Sequence, residues 1–236
     1  MCIIVAKEKG KSLPSKKTLK RCFDYNSDGA GFMYVDKGKV IIDKGYMSFT
    51  SFYNRLKELK EKFDIQNKAL VMHFRIGTSG KGAKNLTHPF PLSNKVKELN
   101  KTHTKTMLGI AHNGIIRDYE YDDILSDTQS FIKDFMYPIS ELSHDFYRRL
   151  DIQKILKKEC ASKLCILDTK ENLYYIGDFI EDKGIMYSNT TYRPVHYTYY
   201  NYGQNYNYPS TYDDYYDDYY DEYLKWYEEL KEKEEN

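Results

Sequence analysis

Met1-Cys2-Ile3-Ile4-Val5-Ala6 runs from a methionine through one thiol into four apolar residues. A methionine ahead of a side chain as small as cysteine is normally trimmed, which would leave Cys2 carrying both its thiol and a free α-amino group. An α-amino group has a reference pKa of about 7.7–8.0 and a thiol about 8.5. Near neutral pH the amine can therefore accept the thiol's proton, and a thiol beside its own base is an activated nucleophile. The same six residues also read simply as the start of an apolar strand, Cys2–Ala6.

Working outward, 236 residues suit one globular domain with an appendage. Hydrophobic content of 41% is enough for a core. The sequence has no apolar run of about 18 residues and no basic-then-apolar leader, so neither a membrane span nor a secretory signal is expected. The four cysteines, at 2, 22, 160 and 165, show no CxxC spacing. Neither a disulfide framework nor a metal site follows from them, and a reducing cytoplasmic setting is expected. The net charge of +1 hides a division. Residues 201–236 hold eleven acidic and three basic side chains, so the tail is acidic and the body basic. Scattered lysines on helices are ordinarily solvated faces, and nucleic-acid binding is not expected.

Periodicity predicts a hairpin from Gly31–Val35 and Val40–Lys44, turning at Asp36-Lys37-Gly38. Phe49, Phe52, Leu56, Leu59 and Phe63 recur at helical steps and predict a helix over Ser48–Phe63. Ala69–Phe74 and Met107–Ala111 read as apolar strands. Ser126 or Asp127 caps a helix that carries Phe131, Ile132, Phe135 and Met136 on one face. A further helix is expected over His144–Lys158, then strands near Lys163–Leu167, Leu173–Ile176 and Gly184–Tyr187. Runs of strands at both ends with helices between them indicate an α+β fold.

The chain divides near residue 190 into a domain over 2–190, a Tyr/Asn/Pro/Gly-rich linker over 191–211, and an acidic amphipathic helix over 212–236. Tyr212, Tyr215, Tyr216, Tyr219, Tyr220, Tyr223, Tyr227 and Leu230 form one stripe of that helix. Such a stripe seeks a surface, on its own domain, on a partner or on a second copy.

Four further segments carry polar chemistry. Asn26-Ser27-Asp28-Gly29-Ala30-Gly31-Phe32 is a turn delivering the chain into a strand. His73-Phe74-Arg75-Ile76-Gly77-Thr78-Ser79-Gly80 ends a strand with a guanidinium, a hydroxyl and glycines. That guanidinium could grip a carboxylate in a bidentate pair or simply pair with a neighbouring acid. Ala111-His112-Asn113-Gly114 reads either as a hairpin turn or as an amide and a glycine N–H offering two donors to one oxygen. Ser126-Asp127-Thr128-Gln129 is a helix cap, or a carboxylate that holds an ammonium group.

Met-Cys, D-G-A-G-F, H-F-R-I-G-T-S-G, H-P-F, H-N-G and S-D-T occur in this order within 130 residues. As an ordered set they resemble the class II glutamine amidotransferase domain, a member of the N-terminal-nucleophile hydrolases, over roughly residues 2–190. The Lys-, Tyr- and Asn-heavy composition is similar to stand-alone bacterial or phage versions. The resemblance implies a four-layer αββα sandwich with two stacked antiparallel sheets. It also implies Cys2 as nucleophile, Asn113 and Gly114 as oxyanion donors, Arg75 with Thr78 on the α-carboxylate of L-glutamine, and Asp127 on its α-ammonium, with no cofactor and no metal. Two positions depart from the family: Ser79 stands where a histidine is common, and Gln129 where a glutamate is, which puts the substrate pocket in question.

The implied activity is glutaminase chemistry, hydrolysing the side-chain amide through a Cys thioester. Nothing after residue 190 resembles a domain that would consume the ammonia, so a separate acceptor enzyme is implied, docked through the Tyr-rich helix in one reading. Two other classes stand beside it: an N-terminal-nucleophile amidase for another γ-glutamyl or linear amide, and a non-catalytic interaction protein on this fold.

Overall fold

Successive side chains of a strand point to opposite faces, and in β1 (Ile3–Lys7) both faces are buried: Ile3 to Ala6 are apolar, and Lys7 at its end is buried as well. Such a strand belongs in the middle of a sheet with material on both sides. In the computed structural model that is its position. The structure describes residues 2–77, 83–119 and 124–194. Thr78, Ser79, most of the linker 191–211 and the Tyr-rich helix expected over 212–236 lie outside the described residues.

After β1 come α1 (Lys16–Asp24), β2 (Ala30–Asp36), β3 (Lys39–Tyr46), α2 (Phe49–Lys62), β4 (Leu70–Phe74), β5 (Phe90–Pro91), α3 (Val96–Leu99), β6 (His103–Thr106) and β7 (Leu108–Asn113). They are followed by α4 (Asp127–Phe131), α5 (Tyr137–Leu142), α6 (Leu150–Cys160), β8 (Lys163–Asp168), β9 (Leu173–Ile176), β10 (Ile180–Asp182) and β11 (Ile185–Tyr187). The fold is mixed α+β with two antiparallel sheets. One has seven strands in the order β10-β11-β1-β4-β2-β3-β6, the other four in the order β5-β7-β8-β9.

Three apolar clusters follow from strand alternation. Ile3 and Val5 point with Phe32 and Phe74 toward Leu19 and Phe23 of α1 and Phe52, Leu56 and Leu59 of α2. Ile4 and Ala6 point the other way, where Met33, Val40 and Val71 of the large sheet meet Ala111, Cys165 and Leu167 of the small one. The far face of the small sheet, with Ile110, Leu164 and Ile166, packs on Phe131, Met136, Leu156 and Cys160 of the later helices.

Local chemistry sets the elements. Ser48 caps α2 by accepting from Ser51 N. Lys37 and Gly38 both take positive φ, 47° and 70°, the two-residue turn whose twist suits a hairpin. The run from α4 to α5 is continuous but widens into a π-turn over Ile132–Met136. Pro138 follows, and its missing N–H removes one rung of the ladder there. The helix expected over His144–Lys158 starts later, at Leu150. Phe146 is drawn into the core on a separate 3-10 turn, and Arg149 is extended at φ −79°, ψ 121°. The ordered core also runs past residue 190: the Tyr192 ring stacks on Tyr187 at 3.7 Å, and Arg21 donates to its carbonyl. Among the described residues no helix is long and apolar enough to cross a membrane.

Candidate active site

The nucleophile candidate sits where β1 begins, next to the end of β4, with Ile3 paired to Phe74. That pairing brings Cys2 against the first residues beyond β4. Ile76 N donates to Cys2 Sγ at 3.4 Å, and Ile76 O lies 3.5 Å from the same sulfur. Burial pushes the Cys2 thiol up, while the Ile76 hydrogen bond and the Arg75 charge pull it back toward the thiolate.

The turn before β2 holds that loop in place. Asp28 N donates to Arg75 O at 2.8 Å and Arg75 N to Gly29 O at 2.8 Å, while the Asp28 carboxylate accepts from Gly77 N at 2.8 Å. The D-G-A-G-F and H-F-R-I-G motifs are thus one unit. The buried Arg75 guanidinium lies flat over Gly77, where an added Cβ would stand 2.6 Å from Nη1.

Across the cleft, β7 delivers Asn113 and Gly114. The chain then continues into a 3-10 turn at Arg117–Tyr119 and on toward α4, and β7 pairs with the distant β8. Asn113-Gly114 is therefore not a hairpin turn, although the dipeptide favours one. Gly114 has φ 152°, and a Cβ there would stand 2.8 Å from Ser162 Oγ, so only glycine fits. Asn113 is 6% exposed, and its Nδ2 donates to Ser188 Oγ at 2.8 Å. Cys2, Asn113, Gly114 and Ser188 line one cleft of about 740 Å³, with Ile76 and Ile115 among its other walls.

Asp127 stands beside this cleft rather than on its wall. It opens α4 under a Ser126 cap, and its carboxylate accepts from Ile116 N at 2.7 Å and Thr128 N at 2.6 Å. Ile116 lines the cleft, so Asp127 fixes the loop that follows the Asn-Gly pair. The Gln129 departure has a packing reason. Its Oε1 accepts from Ser126 N to close the capping box, and its Nε2 donates to Leu99 O at 3.2 Å and Asn100 Oδ1 at 2.8 Å. A glutamate would keep the cap but could not donate.

Sequence reasoning missed two features. One is a cluster of buried histidines, one from each of H-F-R, H-P-F and H-N-G. The His73 and His88 rings lie 4.1 Å apart, and His73 Nε2 is 2.9 Å from His112 O. His112 Nδ1 is 2.8 Å from Thr128 Oγ1 and its Nε2 2.6 Å from Ser162 Oγ. Burial lowers all three, His73 to about 3, His112 to about 4 and His88 well below its usual value. The histidine that recurs in each of those three motifs was the available signal. The other is Ser188-Asn189, a polar dipeptide after a short strand, which nothing in the sequence distinguishes.

The histidines make stability pH-dependent with a defined sign. In the unfolded chain each takes a proton near pH 6.5, whereas in the fold it resists doing so until much lower pH. Stability is complete above about 6.5 and is lost as pH falls toward 4, by up to about 1.4 kcal/mol per pH unit for each histidine. Asp168, held below the ordinary carboxylate range, contributes stability above about pH 4 that is lost only as pH falls further. The urea midpoint measured from pH 7.5 to 4.5 is expected to fall steadily. A flat profile would mean the histidines protonate inside the fold.

Among the described residues no cluster of histidine, cysteine, aspartate and glutamate could hold a metal ion. No family model matches the chain, and no curated protein matches it.

Proposed function

We propose that this chain is a glutaminase of the class II amidotransferase type, releasing ammonia for a separate acceptor enzyme. The observation that carries the reading is that Cys2, Asn113 and Gly114, which come from distant parts of the sequence, line one cleft. The two sheets, with helices against each outer face, accord with a four-layer αββα sandwich of the N-terminal-nucleophile kind.

In this reading Met1 is removed and the Cys2 amine takes the thiol proton. The thiolate attacks the γ-carboxamide carbon of glutamine, forming the C–S bond. The carbonyl electron pair moves onto oxygen, where the Asn113 amide and the Gly114 N–H receive the charge. The ammonium so formed returns the proton to the amide nitrogen, the C–N bond breaks and ammonia leaves. Water then adds to the γ-glutamyl thioester, and collapse gives glutamate and the free thiol. Arg75 with Thr78 receives the α-carboxylate, and Asp127 the α-ammonium.

One observation favours a second reading, an amidase for another γ-glutamyl or linear amide. The Asp127 carboxylate already accepts from two backbone N–H groups, which weakens its claim on a free amino acid.

Arg75→Lys separates the two readings. It keeps the charge and loses the planar fork, so it should raise the glutamine KM about tenfold or more with a smaller change in kcat. An unchanged KM would favour the amidase. The reading as a whole is tested on purified protein by intact mass with and without 6-diazo-5-oxo-norleucine. The expected masses are those of a chain starting at Cys2, then one adduct mapped to Cys2 with Cys22, Cys160 and Cys165 unmodified. Active protein that retains Met1, or an adduct elsewhere, would overturn it.

A further inference from the structure

We infer that Ser188 and Asn189 are positioning residues that fix the distance between the nucleophile and the oxyanion donor; this rests on the glutaminase reading above.

The two residues follow β11 and are bonded to both sides of the site. Ser188 is fully buried, and its hydroxyl oxygen accepts from Ile4 N at 2.8 Å and from Asn113 Nδ2 at 2.8 Å. Ser188 N returns a bond to Ile4 O at 3.0 Å. Asn189 Nδ2 donates to Cys2 O at 2.7 Å. The Lys163 ammonium donates to Ser188 O, holding the dipeptide from the small sheet. Consecutive residues thus grip the backbone of the nucleophile and the side chain of the oxyanion donor.

The geometry has a specific consequence for Asn113. An amide nitrogen carries two N–H groups. One is spent on Ser188 Oγ, which fixes the plane of the amide and therefore the direction of the other. Without that anchor the amide rotates about Cβ–Cγ, and a donor aimed at the oxyanion becomes one that must be ordered during the reaction. Preorganisation of this kind acts on the transition state and not on substrate binding. Asn189 acts at the other end. Its Oδ1 is held by Thr191 N at 3.0 Å and Thr191 Oγ1 at 2.8 Å, so its N–H group is a fixed post for the Cys2 carbonyl.

The test is a double-mutant cycle on the full chain with glutamine as substrate: wild type, Ser188→Ala, Asn113→Ala and the double variant. Ser188→Ala is expected to lower kcat by about 10-fold or more, within the 10²–10³ that loss of one oxyanion donor costs, and to leave KM within about twofold. In the Asn113→Ala background the same change should cost less than about threefold, because the group it aims is gone. Equal losses in both backgrounds would mean Ser188 acts only through stability, and would overturn its assignment.

Ser188→Ala strands the buried Ile4 N–H, so a variant that fails to fold shifts the decision to the half-buried Asn189. Asn189→Asp keeps the Thr191 contacts and replaces the Cys2 donor with an acceptor. It should slow labelling of Cys2 by 6-diazo-5-oxo-norleucine by about tenfold, the upper end of what one neutral hydrogen bond contributes. Labelling within twofold of wild type would overturn the pair. A wild-type protein inert to both glutamine and the electrophile overturns the glutaminase reading and this inference together. An active wild type with additive costs overturns this inference alone.

Discussion

Cys2→Ala is expected to abolish ammonia release from glutamine while leaving the circular dichroism spectrum and melting temperature near wild type. The sulfur is the only protein atom in the proposed reaction that forms a bond to substrate carbon, so no residual covalent route remains. The structural cost is small by comparison. Among the described residues the thiol's hydrogen bonds are to Ile76, at 3.4 and 3.5 Å, and sulfur is a weak hydrogen-bond partner. Cys2→Ser should keep a trace of turnover at most, since the hydroxyl is a far poorer nucleophile near neutral pH. Ammonia release by Cys2→Ala above a tenth of the wild-type rate would remove Cys2 from the chemistry.

Asn113→Asp should lower kcat by about 10²–10³ or more, the cost of one oxyanion donor with a repelling charge added. The glutamine KM should change little, because a ground-state carbonyl depends less on that donor than the oxyanion does. The substitution keeps the side chain's shape, and a carboxylate oxygen can still accept a proton from the Ser188 hydroxyl, now with the donor on the serine. At 6% exposure a carboxylate is costly, so some loss of melting temperature is expected as well. The two effects separate by measurement: melting temperature reads the buried charge, and kcat the missing donor. Near-normal turnover would mean that Asn113 only shapes the end of β7.

Much of the fold was legible because it rests on local rules. The apolar run from Ile3 to Ala6 and the helical spacing of Phe52, Leu56 and Leu59 each declared an element close to its observed bounds. What escaped were elements whose existence depends on distant neighbours. β6 reads His103-Thr104-Lys105-Thr106, polar by composition, and is a strand because Val40–Asp43 offers it an edge. β5 is two residues long and pairs with Gly109 and Ile110. α1 has a low apolar content, and only Leu19, Cys22 and Phe23 turn inward. The same division runs through the site. Cys2 and Asn113-Gly114, which line the cleft, could be picked out by residue type and order. The hydrogen bonds from Gly77 to Asp28, from Asn113 to Ser188 and from Asn189 to Cys2 could not, since each joins residues brought together only by strand pairing or by the packing of one sheet on the other.

The place of β1 between β11 and β4 has a consequence for the timing of synthesis. Cys2 leaves the ribosome well before Asn189, which holds its carbonyl and follows 187 positions later. At about 5–20 residues per second that interval is roughly 10–40 s. Throughout it, β1 lacks one of its two neighbouring strands, and neither Ser188 nor Asn189 is present to set the thiol against Asn113. The thiol is thus made early and its surroundings assembled late. A nascent chain carries a candidate nucleophile but no complete cleft until translation has passed nearly the whole domain.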